Sequence, residues 1–431
     1  MSNFLTDDTK AILLLCGVFG KNCSEKPLTQ KEYTALVHWL MNMKMRPCNL
    51  LQAENVAEAA KGSKIALNRL ETLLARGVQL GFSVEEWQRN GIWVMSRSDG
   101  DYPVRYKKHL KDNAPPLLFG VGNKALLIGG GVAIVGSRNV DAVGEAFTRK
   151  AAEACARNNM PVVSGGARGV DQVSMDSAID AGGTSIGVLA ENLLKKSLEK
   201  RWRHAIAEGR LLLISPYHPS ARFTVGTAMG RNKLVYAMAD FGLVVSSDYK
   251  KGGTWAGAQE ELRRDNNRPV FVRAGDNVPL GNEKLREAGA LEWPEFSQSM
   301  SLKTELQSLS CHSRETQHKA SDSSDSLCEY IAAASQSQKS DALPRVSEVV
   351  EDFSHTFKDS IYMAVLPILE HALASPVSMD HLTTTLDVKK SQLTVWLNRA
   401  MEEGQVTKLE RPVRYVAVDK ANREERPNSV G

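Results

Sequence analysis

No run of eighteen apolar residues occurs in the 431-residue chain, so nothing in it predicts a membrane-spanning helix. The N-terminus, MSNFLTDDTK, is acidic and lacks a basic stretch ahead of an apolar core, which argues against a secretory leader. Cysteine is scarce: six residues (16, 23, 48, 155, 311 and 328), with no C-x-x-C spacing and no histidines at metal-ligand intervals. Free thiols in a reducing cytoplasm are therefore expected, with neither a metal site nor a disulfide framework. Charge of one sign is not in large excess either. The net charge of +4 permits nucleic-acid binding without requiring it. That charge is unevenly spread, because residues 131–275 hold twenty Lys/Arg against fourteen Asp/Glu.

What is present divides the chain into stretches. Residues 1–90 carry apolar residues at three-to-four spacing (AILLLCGVFG, KEYTALVHWLMNM, SKIALNRLETLLARGVQLG) and predict a small helical domain. Residues 91–295 predict the main domain. It opens on a transition broken by Pro and Gly, suited to an edge strand or a packing linker. Six short apolar runs follow, most of them β-branched: VAIVG (132–136), PVVSGG (161–166), SIGVLA (185–190), LLLISPY (211–217), FGLVVSS (241–247) and PVFVRA (269–274). Amphipathic helical stretches separate them. This alternation predicts an α/β fold with a Rossmann-like, doubly wound parallel sheet and crossover helices on both faces. Residues 296–358 are rich in Ser, Gln and Lys and predict a largely disordered linker. Residues 359–420 predict three helices and a hairpin, a winged-helix arrangement, with a tail at 421–431. Its later helix carries Lys389, Lys390, Gln392 and Arg399, diluted by Asp380, Asp387, Glu402 and Glu403. DNA binding, protein binding and dimerisation all remain open for this domain.

In a doubly wound sheet the ligand binds beyond the carboxyl ends of the strands. Those positions hold Gly136-Ser137-Arg138, then Ser164-Gly165-Gly166-Ala167-Arg168-Gly169, then Arg231-Asn232-Lys233, then Gly252-Gly253-Thr254. Glycines let backbone amides approach a ligand, and guanidinium groups match phosphate oxygens in a fork. Several such loops with one charge sign point to phosphate. No nucleophile–base pair accompanies them, so no catalytic residue is assigned, and no cofactor is called for. The first loop lacks the acidic ribose anchor that a dinucleotide site needs about twenty residues on. Asp171 reads first as the residue that fixes its loop, and Glu260 and Glu261 read first as a solvated helix face. The aromatics near the loops, Tyr217, Phe223 and Trp255, read as core before they read as stacking platforms.

In order and spacing, GSR (136–138), SGGARGVD (164–171), RNK (231–233) and GGTWAGA (252–258) resemble the DNA-processing protein A (DprA/Smf) family, as does the lead-in DYPVRYKKHLKDNAPPLLFGVGN. The resemblance covers residues 100–275 and extends loosely to both flanking domains. It implies a non-enzymatic, dimeric protein that binds single-stranded DNA and hands it to a RecA-type recombinase in DNA uptake, recombination or defence. The chain departs from the family where Phe-Pro-x-Arg-Asn-Arg would stand: Phe223 is separated from Arg231-Asn232-Lys233, and the last cation is a lysine.

Two rivals follow from the same loops. GGTWAGAQEEL (252–262) also resembles the P-G-G-x-G-T-x-x-E segment of LOG-type nucleoside-monophosphate phosphoribohydrolases. That reading gives Arg138 or Arg168 a 5′-phosphate and Glu260 or Glu261 the ribose chemistry. Against it, Lys251 replaces the proline and Trp255 the second glycine. A nucleotide-sensing interaction module is the other rival.

Overall fold

The computed structural model describes residues 5–19, 25–275, 277–295, 301–318, 366, 369, 371–386, 390–410 and 413–417. Contacts group the chain into two units. One comprises Met1–Gly17, Leu28–Ile65 and Asn90–Ser324; the other comprises Val18–Pro27, Ala66–Arg89 and Asp325–Gly431.

In the first unit, α1 (Asp7–Cys16), α2 (Gln30–Asn42) and α3 (Val56–Ser63) come before the sheet. The stretch TQKE makes α2 start where it does. The Thr29 side chain accepts from the Glu32 amide, and the Glu32 carboxylate accepts from the Thr29 amide. In the second unit lie α4 (Leu67–Leu74) and α5 (Gly77–Arg89).

Returning to the first unit, nine strands form one sheet: β1 (Trp93–Ser96), β2 (Leu117–Gly122), β3 (Val132–Gly136), β4 (Val162–Ser164), β5 (Ser185–Val188), β6 (Leu211–Ser215), β7 (Phe241–Ser246), β8 (Val270–Val272) and β9 (Leu291–Glu292). Their order is β1-β2-β6-β5-β4-β3-β7-β8-β9. The run from β6 to β9 is parallel throughout, and β1 and β2 add an antiparallel edge. The six apolar runs predicted as strands are all strands, and the transition before them supplies the edge.

The helices of this unit are α6 (Val104–Leu110), α7 (Leu126–Gly129), α8 (Ala142–Arg157), α9 (Val170–Asp180), α10 (Leu193–Ser197), α11 (Lys200–Ala207), α12 (Val225–Met238), α13 (Gly252–Leu262) and α14 (Leu280–Glu287). Side chains alternate across a strand, so one strand feeds two cores. Ala133 and Val135 of β3 join Leu234 and Val235 of α12 and Tyr106 of α6 in one buried cluster. The alternate residues, Val132 and Ile134, are equally buried and serve the other face, where α8 packs on α9. The chain steps outward from β3 to β6, then returns through α12 to place β7 on the other side of β3. That reversal opens a crevice at the carboxyl ends of β3 and β7.

One expectation is corrected within residues 296–358. Leu302–His318 forms a helix, α15, where a disordered linker was predicted. Leu302 and Leu306 are buried, and the Leu302 amide donates to Asn158 Oδ1 at 3.0 Å. Two leucines one turn apart suffice to dock a polar helix. Residues 319–358 and the tail at 421–431 lie outside the described residues.

In the second unit, helices Met379–Leu386 and Lys390–Glu402 precede an antiparallel hairpin of Val406–Glu410 and Val413–Ala417. The first helix of the expected winged helix falls largely outside the described residues, as do Asp387 and Lys389. Phe82 of α5 stacks on Trp396, with ring centroids 4.2 Å apart and planes at 14°. Both belong to a core with Val78, Leu382, Leu393 and Leu397. Among the described residues no helix is long and apolar enough to cross a membrane.

Candidate phosphate and nucleic-acid site

A cavity of about 410 Å³ occupies the crevice at the ends of β3 and β7. β3 delivers Gly136 and Arg138 to it, and the Asp141 side chain then starts α8 by accepting from the Gly144 amide at 2.7 Å. α13 delivers Gly252, Gly253 and Thr254 from its first turn. Thr254 Oγ1 donates to the Gly136 carbonyl at 3.1 Å, which holds the two strand ends together. No side chain caps the start of α13, so its first amides and the positive end of its dipole are available to an anion.

The floor is a buried ion pair. Arg231 of α12 and Asp171 of α9 are 7% and 6% exposed, with Nη1 and Oδ2 3.6 Å apart. Burial pushes the Asp171 carboxyl above its ordinary value, opposed by the Arg231 charge and by the amides of Ala167, Gly165 and Gly136. Burial likewise lowers Arg231, yet a guanidinium keeps its proton in proteins, so the floor retains a cation. Arg231 Nε and the Tyr236 hydroxyl are buried, and neither has a hydrogen-bond partner among the described residues. Both side chains line the cavity.

The rim is exposed. The Arg138 guanidinium lies 5.2 Å from the centroid of Phe223, which is 43% exposed. Val225 and Met229, 72% and 41% exposed, continue the apolar edge along α12.

Of the residues expected here from sequence, Gly136, Arg138, Arg231, Asn232, Gly252, Gly253 and Thr254 line the cavity. The others shape it from behind. Ser164 is fully buried and its hydroxyl donates to the Ile134 carbonyl at 2.6 Å, inside the sheet. Gly165 lies against the Arg231 guanidinium. Gly169 has φ +86°, and a Cβ there would sit 2.4 Å from the Ser137 carbonyl oxygen. Arg168 is exposed and bonds Asn139 Oδ1, while the Ser137 hydroxyl accepts from the Asn139 amide at 3.1 Å. Gly166 and Lys233 do not line the cavity.

Phe223 corrects the core reading given to it, since it is exposed on the rim. The same reading holds for Trp255, which is 8% exposed and meets Tyr249 edge-on at 5.1 Å. Tyr217 is half-buried and donates to the Thr227 carbonyl at 3.2 Å. Sequence reasoning missed Val225, Ala228, Met229 and Tyr236, although their spacing from Asn232 marks one helix face. It also gave Asp171 only a loop-fixing role.

Glu261 departs from both readings of it, as a solvated face and as a ribose-site residue. It is 1% exposed, meets His109 Nε2 at 3.0 Å and accepts from the Arg268 amide at 2.7 Å. Seven residues of helix place it about 10 Å below Thr254, in the core. Glu260 is exposed and paired with Arg264 at 2.5 Å. Neither glutamate lines the cavity.

Residues 93–301 match the family model for DNA recombination-mediator protein A. Over those residues the chain carries a domain of the DNA-processing protein A (DprA/Smf) family. The DNA processing protein DprA of Bacillus subtilis (strain 168) is 28% identical over 211 residues, which is 47% of this chain and 69% of that protein. A putative DprA of Mycobacterium tuberculosis is 32% identical over 132 residues, 29% of this chain and 34% of that protein. The X-ray structure of DprA from Streptococcus pneumoniae aligns with a TM-score of 0.54 and 22% identity. The alignment covers 67% of this chain and 95% of that one. At that identity the shared property is the DprA/Smf fold.

Proposed function

We propose that this DprA/Smf protein binds single-stranded DNA without catalysis, gripping the sugar-phosphate backbone at the carboxyl edge of its sheet. The observation that carries this reading is the pairing of an exposed arginine and an exposed phenylalanine, Arg138 over Phe223, facing the uncapped start of α13 across one cavity. A cation, free backbone amides and an aromatic face suit a phosphate with its neighbouring base. The description of the matching family as a recombination mediator supports delivery of the strand to a RecA-type recombinase; the homodimer is what the family resemblance implies. The placement of Glu260 and Glu261 leaves the phosphoribohydrolase alternative without its glutamate.

Fluorescence anisotropy of a labelled oligonucleotide at several salt concentrations tests the reading. Arg138→Ala is expected to weaken single-strand binding and to flatten the log–log salt slope by about 0.7, one phosphate's worth. Equal affinity of the unaltered protein for single and double strands would refute it. Full displacement of the oligonucleotide by nucleoside monophosphate at micromolar concentration would favour the nucleotide sensor instead.

A further inference from the structure

The carboxyl edge of the sheet carries a second cationic surface that the cavity leaves out. Past β5, residues 193–203 hold Lys195, Lys196, Lys200, Arg201 and Arg203 against one acid, Glu199. Glu199 is shared by Lys196 at 3.2 Å and Arg201 at 2.7 Å. Lys195, Lys200 and Arg203 are exposed and have no carboxylate partner among the described residues. Trp202 is fully buried, anchors the patch and donates to Asp176 Oδ1 at 3.0 Å. Lys196 Nζ and Arg201 Cζ lie 5.6 and 4.4 Å from its ring centroid. Asp176 is a second acid at the patch, 3.9 Å from Arg201, so the cations left over are Lys195, Lys200 and Arg203, and their summed field attracts anions.

The patch is continuous with the cavity on two sides. Trp202 rests against Gly166, where a Cβ would sit 3.5 Å from the indole, and exposed Arg168 follows two residues later. The Asn192 amide donates to the Ala221 carbonyl at 2.8 Å, and the Leu194 amide to the Pro219 carbonyl at 3.0 Å. These bonds tie the start of α10 to the loop that carries exposed Arg222 and then Phe223.

We propose that a single DNA strand leaving the cavity runs over α10 and α11, where Lys195, Lys200 and Arg203 meet its phosphates. The proposal rests on the reading of the cavity as a DNA site. It gives the protein a footprint longer than one pocket and a fixed direction of exit, past Arg168 and Arg222. An anionic membrane would suit the lysines alone, but it would leave their continuity with the cavity without purpose.

The test compares oligothymidylates of about five and about twenty nucleotides on the full chain, since single-strand sites span roughly 4–16 nucleotides per module. The triple variant Lys195→Ala/Lys200→Ala/Arg203→Ala should bind the short strand within about twofold of the unaltered protein. On the long strand its salt slope should fall by about 2, three phosphates at about 0.7 each, so that the affinity lost between 50 and 200 mM salt shrinks roughly 20-fold. An unchanged long-strand slope overturns the proposal, and so does equal weakening of both strands. Loss of binding to phosphatidylserine vesicles with long-strand binding intact would reassign the patch to a membrane. Arg138→Ala, run in parallel, should weaken both strands. If it weakens neither while the triple variant behaves as expected, the cavity reading fails and the surface on α10 and α11 stands.

Discussion

Replacing Gly165 by alanine tests how the site floor is built. The Gly165 backbone is not in the left-handed region, so alanine meets no local torsional objection. The obstacle is the guanidinium: an added Cβ would lie 1.5 Å from Arg231 Nη1 and 2.1 Å from Cζ. Arg231 is buried and paired with Asp171, so it has nowhere to retreat without separating the pair. Overpacking costs about 1–3 kcal/mol. Separating a buried pair adds up to about 3–5 kcal/mol, reduced here because a carboxyl already biased toward its neutral form can take up a proton. We expect a loss of about 3 kcal/mol. In an Arg231→Met background the clash is with a flexible thioether, and Gly165→Ala should cost under about 1 kcal/mol. The coupling energy of the four-protein cycle is then about 2 kcal/mol. Urea unfolding of the full chain at pH 7, followed by circular dichroism, measures it. Additivity within about 0.5 kcal/mol, as for distant sites, would refute the packing argument.

Two further outcomes concern the same site. The folded-state pKa of Asp171 is raised above 3.8, so its titration stabilises the fold fully below that value, and the contribution is lost as pH rises through the folded pKa. The unaltered protein should therefore lose stability relative to Asp171→Asn as pH climbs through that interval; a difference independent of pH between 3 and 7 would contradict the assignment. Phe223→Ala should weaken single-strand binding by about 1–3 kcal/mol, as removal of a stacking face does, with the salt slope unchanged. A changed slope at constant affinity would mean that Phe223 acts only by positioning Arg138.

The parallel sheet was legible because buried parallel strands read as continuous apolar runs rich in β-branched residues, and five of the six runs from Val132 to Val272 did so, Leu211–Ser215 being leucine-rich instead. The strand-end loops followed from the sheet, and Gly136, Arg138 and Gly252 through Thr254 came with them. Exposure was not legible. Nothing in the composition around Phe223 separates a rim aromatic from a core one, and it is the cation beside it that marks the difference. Glu261 shows the reverse error, because a charged residue reads as solvated until its buried counter-charge is known, and the acid that pairs with Arg231 was equally hidden. Asp171 lies sixty residues before Arg231, and His109 about 150 before Glu261. Contacts of that range have no local signature. The α15 helix was missed because its three leucines, Leu302, Leu306 and Leu309, stand among Ser, Gln and Lys residues whose composition reads as a linker.

The stacking of Phe82 on Trp396 sets a clock on synthesis. Helix α5 leaves the ribosome early, yet the aromatic partner that covers it is about 300 residues further along the chain. At roughly 5–20 residues per second, Phe82 waits about 15–60 seconds with its apolar face open, while the whole nine-stranded sheet is made in between. Trp87 of the same helix can pack on Phe19 early, but the face around Phe82 stays uncovered through most of translation, until the C-terminal segment arrives.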